Sequence, residues 1–207
     1  MADLIILTAC VQSVAAINGI LSRHQSLGIR QIRKPEIITH PNKDPGCLLR
    51  PDLLLRSQVN RFDRALIVFD REGCGREDLD ATALASMSES QLNAVGWQGR
   101  ARAIVIDPEL ENWVWSDSSQ VDAALGWSGR IPALRSWVAE MGFIINDNGK
   151  PQDPKAALLA ALQVSGKRHS SSIFLELAKT ISLNRCIDPS FVLLKSVLSG
   201  WFPLGSA

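Results

Sequence analysis

Two short apolar runs that end in acidic residues decide the fold: Ala65–Glu72, A-L-I-V-F-D-R-E, and Ala103–Glu111, A-I-V-I-D-P-E-L-E. β-Branched runs of this length, closed by charged residues, are typical of strands buried on both faces of a parallel sheet. Open α/β sheets bind their ligands at the carboxyl ends of such strands. The sequence therefore predicts an α/β sheet with acidic residues at its ligand-binding edge.

The acids at these strand ends predict a metal site. If Asp70 and Glu72 are both extended, their spacing of two residues places them on the same face of the strand. Neighbouring carboxylates repel each other unless a cation lies between them, and hard cations such as Mg²⁺ take oxygen ligands.

A purely structural role is the alternative at both ends. Asp107 as N-cap, with Pro108 at the first helical position and glutamates in the first turn, would make a favourable start for a helix. Asp70 and Glu72 would be a solvated exit from a strand into a glycine-containing turn. The occurrence of acids at corresponding ends of both runs favours the metal site.

The composition sets the broad class of protein. The formal net charge of +1 gives no overall basic field for nucleic acid, while a local groove can still be basic on a neutral protein. The four cysteines form no CxxC pair, and with three isolated histidines they show no zinc-binding spacing. The N-terminus has no basic segment, and no apolar stretch approaches the roughly 18 residues of a membrane span. We therefore expect a cytoplasmic protein with reduced thiols, no signal peptide and no membrane contact.

The first third of the chain is predicted to contain two strands and two helices before the Ala65 run, the second helix being a short one over Asp52–Asn60. Leu4–Leu7 is predicted as the first strand and Val11–Leu21 as a helix, and Gly28–Ile32 is predicted to start the second strand. The segment from 34 to 51 contains several prolines and charges, which is typical of a long loop.

The rest of the chain predicts further helices and a division into two parts. A helix is expected over about 79–95, and Pro154 suits the first position of another helix. Strands that alternate with helices favour a mostly parallel sheet flanked by helices. We expect an α/β domain over residues 1–145 and, packed on it, a helical C-terminal extension over residues 146–207.

The order of these features and the stretch Glu109–Asp117, E-L-E-N-W-V-W-S-D, resemble an uncharacterised TOPRIM-like family of bacterial proteins. Genes of this family often lie beside those for AAA- or ABC-type ATPases in anti-phage defence loci. The stretch is similar to the family's E-x-E-x-W-x-x-x-D. Weaker similarities are Asp153-Pro154-Lys155 at a helix start and the tail from Lys167 to Phe191. The resemblance covers most of the chain and implies a TOPRIM-like, Rossmann-like sheet with a helical tail.

The resemblance also implies a set of functional residues. TOPRIM domains hold Mg²⁺ for phosphoryl transfer on nucleic acid with a glutamate after the first strand and an Asp-x-Asp after a later one. Asp70 and Glu72 stand at the Asp-x-Asp position, and Glu111 matches the family's acid on the following strand. This sequence departs from the pattern after the first strand, where Thr8 replaces the glutamate and Gln12 an aspartate.

The function implied is a Mg²⁺- or Mn²⁺-dependent nuclease or phosphodiesterase subunit in anti-phage defence, acting on nucleic acid with an ATPase partner. Asp70, Glu72, Glu109 and Glu111 are the predicted metal ligands. Asp70, Glu72 and Glu111 also act in catalysis, with Lys155 or Arg71 offsetting the charge of the transition state. The alternative is a catalytically inactive subunit that docks on an ATPase or effector. A nucleotide-binding domain is disfavoured because no glycine-rich phosphate loop follows the first strand.

Overall fold

A computed structural model describes residues 1–205 of the chain, which fold around a sheet of four parallel strands. The strands are β1 (Ala2–Thr8), β2 (Glu36–Thr39), β3 (Phe62–Asp70) and β4 (Ala101–Ile106). Their order across the sheet is β2-β1-β3-β4. The predicted α/β fold with a parallel sheet flanked by helices is confirmed.

Helices occupy the connections between strands and the whole C-terminal part. They are α1 (Val11–Leu21), α2 (His24–Leu27), α3 (Lys43–Leu49), α4 (Asp52–Leu55), α5 (Ala81–Leu92), α6 (Glu111–Val114), α7 (Ser119–Ala124), α8 (Leu134–Glu140), α9 (Pro154–Ser165), α10 (Ser171–Thr180) and α11 (Pro189–Trp201). A 3₁₀ turn, Arg56–Gln58, follows α4, and a π-helical turn, Asn93–Trp97, follows α5. The helices predicted after the first strand, over 79–95 and at Pro154 are confirmed.

The region between α1 and β3 differs from the prediction. Gly28–Ile32 is not a strand, and only Ile29 makes an isolated bridge, to Pro203. The predicted loop over 34–51 instead contains both β2 and α3. Pro45 lies in the first turn of α3, where backbone N–H groups have no intrahelical partner, so a proline is tolerated there. The prolines indicated a loop that the chain does not form.

Both faces of the sheet are buried, as the apolar runs predict. Successive residues along β1 and β3 alternate between two apolar cores. The core beneath α1 and α10 contains Leu4, Ile6, Leu66 and Val68. The core beneath α3 and α5 contains Ile5, Leu7, Ile67 and Phe69.

The C-terminal helices pack on the α/β part. Apolar residues of α9, α10 and α11 belong to the same continuous core as β1 and β3. Helix α10 crosses α1 closely: a Cβ added to Gly19 would lie 2.6 Å from the Cβ of Ala178 and 3.1 Å from the carbonyl oxygen of Leu175. No helix in residues 1–205 is long and apolar enough to cross a bilayer.

Strand β4 is an edge of the sheet, and its outer side is partly occupied by side chains. Its inner side pairs with β3. At the two ends of this pairing the Ala65 N–H donates to the carbonyl of Arg100, and the Arg71 N–H donates to the carbonyl of Ile106. On its outer side, Ala103 N–H donates to the Glu89 carboxylate of α5 at 2.9 Å. A groove of about 650 Å³ follows this edge between α5 and α11.

Gly19→Ala and Gly200→Ala form a matched pair that tests the contact between α1 and α10. Helix propensity favours alanine at both positions by up to about 1 kcal/mol. At Gly19 the added methyl forces the two helices apart, which costs about 1–3 kcal/mol, whereas open space surrounds Gly200. Urea unfolding is expected to show Gly200→Ala at least as stable as the wild type and Gly19→Ala less stable. Equal free energies of unfolding would contradict the contact.

Candidate functional site

The strand order creates a crevice at the carboxyl ends of β1 and β3. After β1 the chain enters α1 on one face of the sheet, and after β3 it enters α5 on the other face. Adjacent parallel strands whose connections leave in opposite directions form a topological switch point, where open α/β sheets bind ligands. Thr8 and Asp70 are the last residues of these two strands.

Asp70 has one carboxylate oxygen without a partner. The Oδ1 atom is enclosed and accepts no hydrogen bond from residues 1–205. The backbone N–H of Asp70 lies beyond the last paired residues of β1 and β3, Thr8 and Val68, and donates to the Asp44 carboxylate at 2.8 Å. A buried oxygen that accepts nothing costs free energy in a folded protein, so this atom indicates a place for a ligand.

The electrostatics around Asp70 favour an added positive charge. Burial raises the pKa of Asp70 well above its usual value, and the charges of Asp44, Glu111 and Glu109 raise it further. Lys155 opposes this increase. Three acidic side chains thus act on Asp70 against one lysine.

Asp44 is a member of this group that the sequence analysis missed. It lies in the first turn of α3, and burial raises its pKa, while the hydrogen bond from the Asp70 N–H lowers it. The signal in the sequence is weak, because Ile37 and Ile38 alone precede this acid in Glu36–Asp44, E-I-I-T-H-P-N-K-D. The prolines of the segment favour a loop and obscure it.

Glu109 is neutralised by Lys155. Its Oε1 accepts the backbone N–H of Lys155 at 3.2 Å, and its Oε2 forms an ion pair with the Lys155 ammonium. Lys155 lies in the first turn of α9, where the helix dipole also favours a carboxylate. Burial lowers the pKa of Lys155, but the hydrogen bond with Glu109 and the charge of Glu111 outweigh burial and raise it.

Glu111 is the second buried glutamate of the E-L-E stretch. It is the first residue of α6, is 4% exposed, and has His169 Nε2 3.7 Å from its Oε1. Burial raises the pKa of Glu111, Lys155 lowers it and Glu109 raises it, with a net increase. The structure thus brings Asp70, Glu109, Glu111 and Lys155 of the predicted site together.

Glu72 and Arg71 lie beyond the end of β3. Because the strand ends at Asp70, Glu72 is in the following turn, and the same-face argument from extended spacing does not apply to it. Its exposed side chain borders an open depression of about 450 Å³ together with Glu109 and Lys155. The Arg71 guanidinium donates to the carbonyls of Leu79 and Glu77 and pairs with Asp107, so it holds the loop after β3. The role of Glu72 as a metal ligand stays a prediction.

The structural alternative for Asp107 and Pro108 is wrong. Helix α6 begins at Glu111 and its N-cap is Leu110, so Pro108 is not at a first helical position. The Asp107–Pro108 peptide is cis, and the Pro108 carbonyl accepts the N–H of Glu72 at 2.9 Å. These residues connect the ends of β3 and β4.

The other half of the E-L-E-N-W stretch anchors the site to the C-terminal helices. Asp188 caps α11 and is almost fully buried. Its carboxylate accepts from Asn112 Nδ2 at 2.7 Å, and it forms an ion pair with Lys150 Nζ at 3.0 Å. Trp113 Nε1 donates to Ser190 Oγ at 2.8 Å. The stretch therefore directs its glutamates to the crevice and fixes its asparagine and tryptophan to α11.

The end of β1 supplies no carboxylate to the crevice. Thr8 is fully buried, and its hydroxyl donates to the carbonyl of Ile38 at 3.4 Å. In residues 1–205 no three His, Cys, Asp or Glu side chains are grouped closely enough to hold a metal ion by themselves. A cation at this site would need water or substrate oxygens in addition to protein ligands.

Comparison of the chain with protein-family models, curated proteins and solved structures finds no match. The fold class therefore rests on the parallel sheet and its switch point, and the TOPRIM-like identity stays a prediction.

Asp70→Asn is expected to stabilise the protein at neutral pH without divalent cations. A carboxyl group whose pKa is higher in the folded than in the unfolded state binds protons more strongly when folded, so stability is lost as pH rises through the folded pKa. Asparagine does not ionise and removes that loss. Thermal melts in EDTA from pH 5 to 8 should show the advantage of Asp70→Asn growing with pH.

Asp63→Asn is the matched control for this pH series, because Asp63 lies at the opposite end of β3. An advantage of Asp70→Asn that does not change with pH, or an equal one for Asp63→Asn, would contradict the electrostatic explanation.

Proposed function

We propose that this protein is a divalent-cation-dependent phosphodiesterase or nuclease subunit of TOPRIM-like type that acts on nucleic acid. The observation that best supports the proposal is the enclosed, partnerless Oδ1 of Asp70 at the switch point, among the charges of Asp44, Glu109 and Glu111. Carboxylates of this density without matching cations favour a bound metal. The nucleic-acid substrate, the ATPase partner and the role in anti-phage defence rest on the resemblance of Glu109–Asp117 to the family motif.

The residues of the crevice fit Mg²⁺ or Mn²⁺ better than zinc. Mg²⁺ keeps several waters and is commonly held by one or two carboxylates together with substrate phosphates. The absence of a three-ligand group in the described chain is therefore compatible with Mg²⁺, whereas a structural zinc site needs four ligands of nitrogen or sulfur type. Of the four predicted ligands, Glu109 is bonded to Lys155, and Asp70, Glu72 and Glu111 are not bonded to a lysine.

The side chains around the crevice have distinct roles in this proposal. A bound Mg²⁺ would polarise a phosphate and acidify water. Lys155 is half-exposed at the start of α9 and faces the open depression beside Glu109, so its ammonium is placed to offset negative charge on a phosphate. Glu109 holds Lys155 in position and is therefore a positioning residue. His169 Nε2 lies 3.7 Å from Oε1 of Glu111.

Cleavage of DNA or RNA is expected to require Mg²⁺ or Mn²⁺ and to be lost in Asp70→Asn. Removal of that carboxylate removes the ligand at the centre of the site. Purified protein, alone and with any AAA- or ABC-type ATPase found to be encoded beside it, is incubated with labelled single- and double-stranded DNA and RNA, with and without EDTA. Asp63→Asn is the control for the change of an aspartate on the same strand. A wild type that stays inert with both cations and the ATPase would contradict the proposal.

Lys155→Met is expected to lower the cleavage rate by about 10²–10³-fold, the size found when one group that stabilises a transition-state charge is removed. Lys179→Met, on the exposed end of α10, removes a lysine away from the crevice and should leave the rate unchanged. Thermal melts of both variants separate a loss of catalysis from a loss of folding. A Lys155→Met enzyme with the wild-type rate would remove Lys155 from the mechanism.

A second candidate function is a non-catalytic subunit that docks on a partner ATPase or effector. The observation that favours it is Thr8, which gives the end of β1 no carboxylate. Phage protection by the complete defence locus distinguishes the two functions. Protection that survives the double change Asp70→Ala/Glu72→Ala favours the docking subunit, and protection that is lost in a folded double variant favours the enzyme.

A further inference from the structure

We infer that Asp44 of α3 is a metal ligand and supplies, from the helix after β2, the carboxylate that the end of β1 lacks at Thr8. This inference rests on the proposed function, since it concerns the same cation. It assigns the site to the pair Asp44 and Asp70 and makes α3 part of it.

The position of α3 explains how Asp44 reaches the end of β3. Strand β1 lies between β2 and β3, and α3 packs across β1 and β3. The first turn of α3 therefore stands over the ends of these strands. The hydrogen bond from Asp70 N–H to Asp44 Oδ1, 2.8 Å long, fixes the Asp44 carboxylate at the carboxyl end of β3.

Two independent observations indicate that a cation belongs between these carboxylates. The Oδ1 atom of Asp70 is enclosed and without a partner in the described chain. In residues 1–205 neither Asp44 nor Asp70 forms an ion pair, although Glu109 has Lys155 and Asp188 has Lys150. The charge of Lys155 acts on both carboxylates, but no cationic side chain is bonded to either of them. Two such neighbouring carboxylates match the one or two that Mg²⁺ takes from a protein, with water and phosphate oxygens as its other ligands.

Thr8 leaves the end of β1 without a carboxylate for this cation. Its hydroxyl donates a hydrogen bond to the Ile38 carbonyl of β2. The side chain at the end of β1 is therefore hydrogen-bonded within the sheet. A cation at Asp70 would then draw its second carboxylate from Asp44, which α3 holds at the carboxyl end of β3.

Binding of Mn²⁺ to Asp44→Asn tests the inference without any enzymatic assay. Asparagine keeps an oxygen that accepts the Asp70 N–H, so the fold is preserved while the charge is lost. Isothermal titration calorimetry and the relaxation of water protons by Mn²⁺ are measured for the wild type, Asp44→Asn, Asp70→Asn and the control Asp63→Asn. We expect Asp44→Asn and Asp70→Asn each to weaken Mn²⁺ binding by at least about 10–100-fold, and Asp63→Asn to bind as the wild type does.

Asp44→Glu and melts in EDTA keep the test independent of folding. Asp44→Glu retains a carboxylate and should bind Mn²⁺ more tightly than Asp44→Asn, and Asp44→Asn should melt in EDTA at or above the wild-type temperature. Wild-type affinity in Asp44→Asn, with binding lost in Asp70→Asn, overturns the role of Asp44 and leaves the proposed function intact. A wild type that binds neither Mn²⁺ nor Mg²⁺ overturns the proposed function, and this inference with it.

Discussion

The buried carboxylate of Asp188 joins the N-terminal sheet to the C-terminal helices. Burial alone would raise its pKa, but Lys150 and the hydrogen bond from Ser190 outweigh burial and lower it, so the group stays charged. A buried charge is tolerated only while its partners remain in place, and loss of one partner is strongly destabilising. Asn112 is one of these partners and directly follows Glu111. The position of Glu111 in the crevice therefore depends on helices that lie far from it in the sequence.

The carboxylates of the crevice differ from Asp188 in their hydrogen bonding. Around Asp188 every carboxylate oxygen has donors, whereas around Asp70 carboxylates face one another and one oxygen has none. The hydrogen bonds of Asp188 and the two apolar cores stabilise the fold, and this stability allows the chain to tolerate the repulsion between the carboxylates around Asp70. Sites of this kind reduce the stability of the free protein, and the reduction is recovered when a ligand binds the folded state.

The strands were predictable because burial on both faces leaves a simple trace in the sequence. The runs at Leu4, Ala65 and Ala103 contain little but apolar residues, and they form β1, β3 and β4 respectively. Strand β2 was missed since two of its four residues are exposed and only Ile37 and Ile38 are apolar. Asp44 was missed for a related reason, because Pro45 in the first turn of a helix is locally indistinguishable from proline in a loop. Which acids meet depends on how α3 and α6 pack, and that information is distributed over the whole chain.

Glu89 has a consequence for how the molecule behaves at high concentration. An exposed strand edge presents regularly spaced donors and acceptors, and identical edges of two molecules can pair and extend a sheet without limit. The carboxylate of Glu89 occupies the donor of Ala103 in the middle of β4, and α5 and α11 flank the edge on its two sides. A second β4 would have to displace a charged side chain that also pairs with Arg102, 3.5 Å away. The same acid that completes the hydrogen bonding of one strand thus hinders pairing of a second strand at the β4 edge of the sheet.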